Sequence, residues 1–172
     1  MSKESAVFFS SGKEALTMHD EKIQVLSSSD YIKKERMILM KISPYLSFNG
    51  NCAEAVALYE KVFNTKAEIM RYSDAPENVY QSPPGTESHI MHAALTINGE
   101  AIMMSDMPPE YPVTFGSNIT LTVEFGDEDA SRAAFDILKD GGEVAMEMQE
   151  TFWSKCFGTL KDKFGVHWNI SV

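Results

Sequence analysis

The sequence predicts an α+β domain built from one unit used twice, strand–helix–strand–strand–strand, over roughly Met40 to Val172. Three observations carry this. Two amphipathic helix patterns lie about 75 residues apart, too long an offset for a solenoid repeat. Each is preceded by one short strand pattern and followed by three. Glycine, asparagine and proline pairs punctuate the boundaries.

Ile42 to Phe48 reads as the first strand, closed by Asn49-Gly50. Asn51 with Glu54 three residues on has the spacing of a capping box. From Cys52 to Phe63, the residues Ala55, Leu58, Tyr59, Val62 and Phe63 recur at helical spacing, which gives one buried stripe. Ala67 to Tyr72 is the second strand, and a loop with Asp74, Pro76, Pro83, Pro84 and Gly85 follows. His89–Ile97 and Glu100–Ser105 form a predicted hairpin about Asn98-Gly99. Pro108-Pro109 and Pro112 mark a linker. The second copy then opens with a strand at Asn118–Phe125. Gly126-Asp127 starts a helix with Ala130, Ala134, Ile137 and Leu138 on its inner stripe, and Gly141-Gly142 ends it. Strands at Glu143–Glu150, Lys155–Leu160 and Val166–Val172 complete the copy, the last two joined by a turn near Lys163-Phe164-Gly165.

Residues 1–39 lack sustained periodicity. They read either as an extension or as a start assigned too early, with Met40 the true first residue. Lys33-Lys34-Glu35-Arg36 ahead of Met37 fits the second reading, since purine-rich ribosome-binding codons translate to Lys, Glu and Arg. A hydrophobic fraction of 44% with 23% charged residues is ordinary for a soluble globular chain. No apolar run reaches the roughly 18 residues of a membrane helix, and the Ala6–Phe9 patch falls short of a secretory core of ~7–15 residues. A cytoplasmic location is expected. The formal net charge of -10 disfavours nucleic acid and anionic membranes as partners. Cys52 and Cys156 form no CxxC pair, which argues against a structural zinc or a redox dithiol. No motif calls for a cofactor, and a divalent metal stays open.

Alternation along the strands separates two faces. Ile119, Leu121 and Val123 oppose Asn118, Thr120 and Thr122; Val166, Trp168 and Ile170 oppose His167, Asn169 and Ser171; Met91, Ala93, Leu95 and Ile97 oppose His92, Ala94 and Thr96. The apolar set is what a sheet shows to packing helices. The second set is small and polar. It either faces bulk water, as in many antiparallel sheets, or lines a concave binding site, and periodicity alone does not choose.

Several segments together resemble PhnB-like proteins of the glyoxalase/bleomycin-resistance/dioxygenase (vicinal-oxygen-chelate) superfamily. They are Pro44–Cys52, Glu54-Ala55 with Leu58-Tyr59, His89–Ala93, Ile102–Asp106, Gln149-Glu150-Thr151-Phe152-Trp153 and Asp162–Trp168. The resemblance implies paired βαβββ modules in a U-shaped mixed sheet, a polar face that lines a cavity for a small-molecule ligand, and a homodimer. Some members carry a 3-demethylubiquinone methyltransferase label, yet no glycine-rich loop after an early strand signals a nucleotide-type cofactor site here. Metal-dependent members place His or Glu ligands on the first, fourth, fifth and eighth strands. Those positions fall near Pro44, Ser105 or Asp106, Asn118 and Asn169, and this set lacks the two His and carboxylate of a facial triad.

The resemblance therefore points to metal-free ligand binding by Asn118, Thr120, Asn169, His167, Ser105, Asp106, Glu150 and Trp153. The alternative is a lyase, isomerase or dioxygenase that uses a metal, or His92 as general base. His92, His167 and Glu150 are the replacement ligand set to be tested. Phe152 and Trp153 either fill the core or close a cavity mouth. Met103, Met104, Met146 and Met148 read as core filler, and His89 and His19 as solvated.

Overall fold

The computed structural model describes the backbone of residues 7–10, 14–19 and 22–27 and the whole of residues 41–76, 82 and 84–172. Pro83 and the Lys33–Met37 segment lie outside the described residues. Contacts divide the chain into two units, Met1–Ile42 and Ser43–Val172. In the first, β1 (Val7–Ser10), β2 (Glu14–His19) and β3 (Lys22–Ser27) form an antiparallel sheet in the order β1-β2-β3. The sequence reading expected no element there. Strands this short put only two or three residues on each face, too few for a clear period of two.

The second unit contains both copies of the module. The first runs β4 (Tyr45–Phe48), α1 (Cys52–Phe63), β5 (Ala67–Arg71), β6 (Ile90–Ile97), β7 (Glu100–Asp106). The second runs β8 (Leu121–Glu124), α2 (Glu128–Leu138), β9 (Glu143–Gln149), β10 (Phe157–Lys161), β11 (His167–Ser171). Each forms a four-stranded mixed sheet, in the orders β4-β7-β6-β5 and β8-β11-β10-β9. The first and last strands of each module pair in parallel and the rest antiparallel, so the two modules share one topology. The α+β class and the paired modules are thus as expected, and the eight strands of this unit form two sheets of four.

Local chemistry explains the boundaries. Asn98 (φ 49°) and Gly99 (φ 87°) both adopt positive φ, the type I′ geometry whose twist suits a two-residue hairpin, and they join β6 to β7. Gly50 has φ +90°, which strains any other residue, and a Cβ there would crowd the His89 ring at 3.2 Å. Asp127 caps α2 by accepting from the Ala130 amide at 2.8 Å. Asn51 does not do the same for α1: it makes no side-chain cap bond, and the expected capping box with Glu54 is not formed. Asp106, at the end of β7, takes that place and accepts from the Cys52 amide at 2.9 Å.

A single hydrophobic core joins both helices and the inner faces of both sheets, with Phe48, Tyr59, Leu95, Met104, Phe135 and Trp168 among its members. On α2 the buried residues are Ser131, Ala134, Phe135 and Leu138, while Ala130 is exposed and Ile137 half-buried. The inner stripe is therefore rotated by about one residue from the expected one, because the large Phe135 ring takes the central position. β8 also begins at Leu121, three residues later than expected, which leaves Asn118, Ile119 and Thr120 in the linker.

Candidate functional site

Two buried carboxylates organise the molecule, and neither faces a ligand. Asp106 is 2% exposed; its oxygens accept from the amides of Cys52 and Ile90, each at 2.9 Å. It thereby ties β7 to the start of α1 and to β6. Asp162, also 2% exposed, accepts from the Tyr59 hydroxyl (2.8 Å), the Trp168 indole N–H (2.8 Å) and the amides of Phe164 (2.9 Å) and Val166 (3.0 Å). Tyr59 stands on α1 and Trp168 on β11, so Asp162 joins the two modules. Burial, followed by the Asp162 charge, pushes the Tyr59 phenol above its ordinary range. Burial and the neighbouring Asp106 push the Cys52 thiol up to about 12, so this cysteine is no nucleophile.

The face of each sheet turned away from the core carries the polar set. On the first sheet, register places Tyr45 beside Met103, Met103 beside Ala94, and Met70 beside His92. These alternate with the core residues Leu46, Phe48, Ala93, Leu95 and Met104. The Tyr45 hydroxyl reaches across β7 to within 3.4 Å of His92 Nδ1, with the two ring centroids 6.0 Å apart. Ser105 shares this face and is nearly covered. On the second sheet, Asn169 lies in register between Thr122 and Thr159, and its amide donates to the Thr122 hydroxyl at 3.2 Å. His167, at the start of β11, pairs with Lys161 and is half-buried.

The expected site residues therefore divide. His92 and Ser105 stand on one open face, and His167 and Asn169 on the other. Asn118 and Thr120 do not project from a strand: both are exposed in the linker ahead of β8. Asp106 points into the core, since the alternation that sends Ser105 outward sends its neighbour inward. Glu150 and Trp153 lie in the β9–β10 loop, lining an open concavity of about 480 Å³ with Phe152 and Val172. That loop is locked by the Thr151 hydroxyl, which accepts from the Ser154 amide at 3.1 Å, and by the Ser154 hydroxyl, whose single proton lies within reach of the carbonyls of Cys156 and Val172. Phe152 is 97% exposed and Trp153 57%, so they do not fill the core. The residue that sequence reasoning missed is Tyr45. Its alternation with Leu46 and Phe48 places it on the open face.

The residues at the superfamily's metal positions do not fit a metal. Pro44 uses its carbonyl to accept from Met103 N, Asp106 is buried with each oxygen accepting from one amide, Asn118 is off the sheet, and Asn169 donates to Thr122. The replacement set of His92, His167 and Glu150 is not brought together either: among the described residues, no three His, Cys, Asp or Glu side chains converge to hold a metal.

Comparison with known proteins places this geometry. A family described as 3-demethylubiquinone-9 3-methyltransferase matches residues 40–171. Protein YjdN of Escherichia coli (strain K12) is 37% identical over 143 residues, covering 77% of this chain and 95% of that protein. Among solved structures, protein PA1353 from Pseudomonas aeruginosa shares 33% identity with a TM-score of 0.69, over 77% of this chain and 96% of that one. A Bacillus cereus structure titled putative 3-demethylubiquinone-9 3-methyltransferase, PhnB protein, shares 30% identity with a TM-score of 0.64, over 77% of this chain and 98% of that one. The fosfomycin resistance protein FosX from Listeria monocytogenes, at 13% identity and a TM-score of 0.52, shares the fold, covering 79% of this chain and 92% of its own.

A methyl transfer of the kind the family description names needs a donor cofactor. Nucleotide-type cofactors sit at a helix N-terminus beyond the end of a parallel strand. Here Asp106 fills the N-terminus of α1 and Asp127 that of α2. No helix among the described residues is long and apolar enough to cross a membrane.

Proposed function

The chain belongs to the PhnB-like family described as 3-demethylubiquinone-9 3-methyltransferase, and from that premise we propose that it binds a small, partly apolar molecule against the open faces of its sheets, without the superfamily's usual metal centre. The observation that carries this reading is the first sheet's open face, where Tyr45 and His92 contact each other beside the side chains of Met70 and Met103. Apolar walls with a few convergent polar groups are the ordinary composition of a ligand site. Asp106, the one carboxylate at the superfamily's metal positions, is buried in the core and bonded to two amides, which supports a metal-free site.

A second copy of the chain completes the reading. Tyr111, Phe115, Ile119, Phe152 and Trp153 are all large apolar residues left exposed, and a second copy that covered them would remove that surface from water. A homodimer in the cytoplasm is the setting proposed.

The test is a thermal-shift screen of the full-length chain against small acids, phenols and carbonyl compounds, with native mass measured in parallel. Hits that raise the melting temperature and lose their effect in His92→Phe support open-face binding. Hits unaffected by substitutions on either open face contradict it. Turnover of a hit would favour the second reading, a lyase- or isomerase-type enzyme at the same face, and His92→Phe would then abolish activity.

A further inference from the structure

The contact between Tyr45 and His92 carries more than proximity. A neutral imidazole has one nitrogen that donates and one that accepts, and the bond made by the first nitrogen fixes the role of the second. The Tyr45 hydroxyl lies 3.4 Å from His92 Nδ1. Two arrangements satisfy that contact. Either the phenol donates and Nδ1 accepts, or Nδ1–H donates to the phenolic oxygen. A phenol is a strong donor, and its oxygen is a weak acceptor because its lone pair is delocalised into the ring. An imidazole nitrogen is the better base of the two. The first arrangement is therefore preferred, and it puts the ring proton on Nε2.

Resting on the open-face reading above, we infer that Tyr45 is a positioning residue that holds His92 as the Nε2–H tautomer, so that His92 presents a hydrogen-bond donor to the ligand. The site then selects molecules with an acceptor oxygen, a carboxylate, phenolate or carbonyl, joined to an apolar body that rests on Met70 and Met103. His92 in this state donates; it does not remove a proton. That reverses the general-base role that its residue type first suggests. In an enzyme at this face, its part would be to polarise a carbonyl. The surroundings agree: the register partner of His92 on β5 is Met70, a thioether, and the half-exposed Tyr45 ring packs at 6.0 Å from the imidazole. Neither neighbour offers a carboxylate to take up the Nε2 proton in place of a ligand.

Two measurements on the full-length chain test this. The first is nitrogen-15 NMR of the histidine rings at a pH high enough to keep them neutral. His92 is expected to hold a larger Nε2–H population in the parent than in Tyr45→Phe. An Nδ1–H tautomer in the parent, or the same populations in both proteins, overturns the proposal. The second uses two flat probes of matched shape, benzoate, which only accepts hydrogen bonds, and benzamidine, which only donates. Benzoate is expected to shift the His92 and Tyr45 resonances, and His92→Phe to weaken it about tenfold, the loss of one hydrogen bond to a charged group. Benzamidine perturbing His92 while benzoate does not would overturn the donor assignment and leave open-face binding standing. If neither probe perturbs any open-face residue, the ligand class falls together with the open-face reading, while the tautomer result still decides whether Tyr45 orients His92.

Discussion

Asp162→Asn is the sharpest single perturbation of this fold. The change keeps the shape of the side chain and replaces one acceptor oxygen by an amino group. Oδ1 accepts from the amides of Phe164 and Val166, and Oδ2 from Tyr59 and Trp168. In place of Oδ1 the amino group faces two amide donors; in place of Oδ2 it faces the Trp168 indole N–H and the Tyr59 hydroxyl, which can rotate to accept instead. One or two hydrogen bonds to a charged acceptor are lost inside a buried site. At roughly 1.5–3 kcal/mol for each bond lost, the loss is about 1.5–6 kcal/mol. A typical domain has only ~5–15 kcal/mol in total. The assay is equilibrium unfolding in urea, followed by tryptophan fluorescence and circular dichroism. Trp168 bonds directly to Asp162, so its emission reports on the same point. Tyr59→Phe is the companion variant. It removes one donor and leaves the carboxylate three others, so its expected loss is near the low end, about 1.5 kcal/mol. A loss for Asp162→Asn below ~1 kcal/mol, or smaller than that of Tyr59→Phe, would refute the view that Asp162 joins the modules.

Other expectations follow from the same geometry. Asp106→Asn faces its amino group to one amide whichever oxygen is replaced, so its unfolding midpoint should drop by no more than that of Asp162→Asn. The Cys52 thiol is raised from 9.0 to about 12 in the folded chain, so its contribution is full below the unfolded value and declines as pH rises from 9.0 towards about 12. Denaturation between pH 9.0 and about 10, below the range where the raised Tyr59 phenol adds its own slope, should show a downward slope of up to ~1.4 kcal/mol per pH unit that Cys52→Ala reduces; an unchanged slope would count against the assignment. Gly158→Ala would place a Cβ 2.6 Å from Met148 Sδ and 2.8 Å from Phe135 Cε2; overpacking of about 1–3 kcal/mol is expected, read as a fall in melting temperature. Phe152→Ser with Trp153→Ser should leave monomer stability within ~0.5 kcal/mol, since both side chains are exposed. The same double substitution should lower the native mass if a second copy covers this loop.

Much of the fold was legible because its signals are local. Cys52–Phe63 shows the helical period over three turns, and the helix occupies that span. Asn98-Gly99 names its own turn through the positive φ that both residues adopt. The inner face of β11 follows from the alternation of Trp168 and Ile170 with polar neighbours, and both are fully buried. What escaped is set by distant parts of the chain. No local rule could show that Asp106, remote in sequence, replaces the cap expected from Asn51. Nor could alternation tell where β8 begins. Asn118-Ile119-Thr120 alternates like a strand, but pairing with β11 starts only at Leu121, opposite Trp168. The site suffered most from this. Asn118 and Thr120 depended on the strand boundary, Asp106 on a one-residue register, and Tyr45 on a contact across β7 that only the folded sheet creates.

The central claim, a PhnB-like fold that works without the superfamily's metal, is tested most directly by elemental analysis. The full-length chain, without a histidine tag, would be purified from cells grown with zinc, nickel, manganese and iron, and its metal content measured against protein. The account predicts every metal well below one per chain, with the fold and melting temperature unchanged by a chelator. A stoichiometric metal that survives dialysis and whose removal lowers the melting temperature would contradict it.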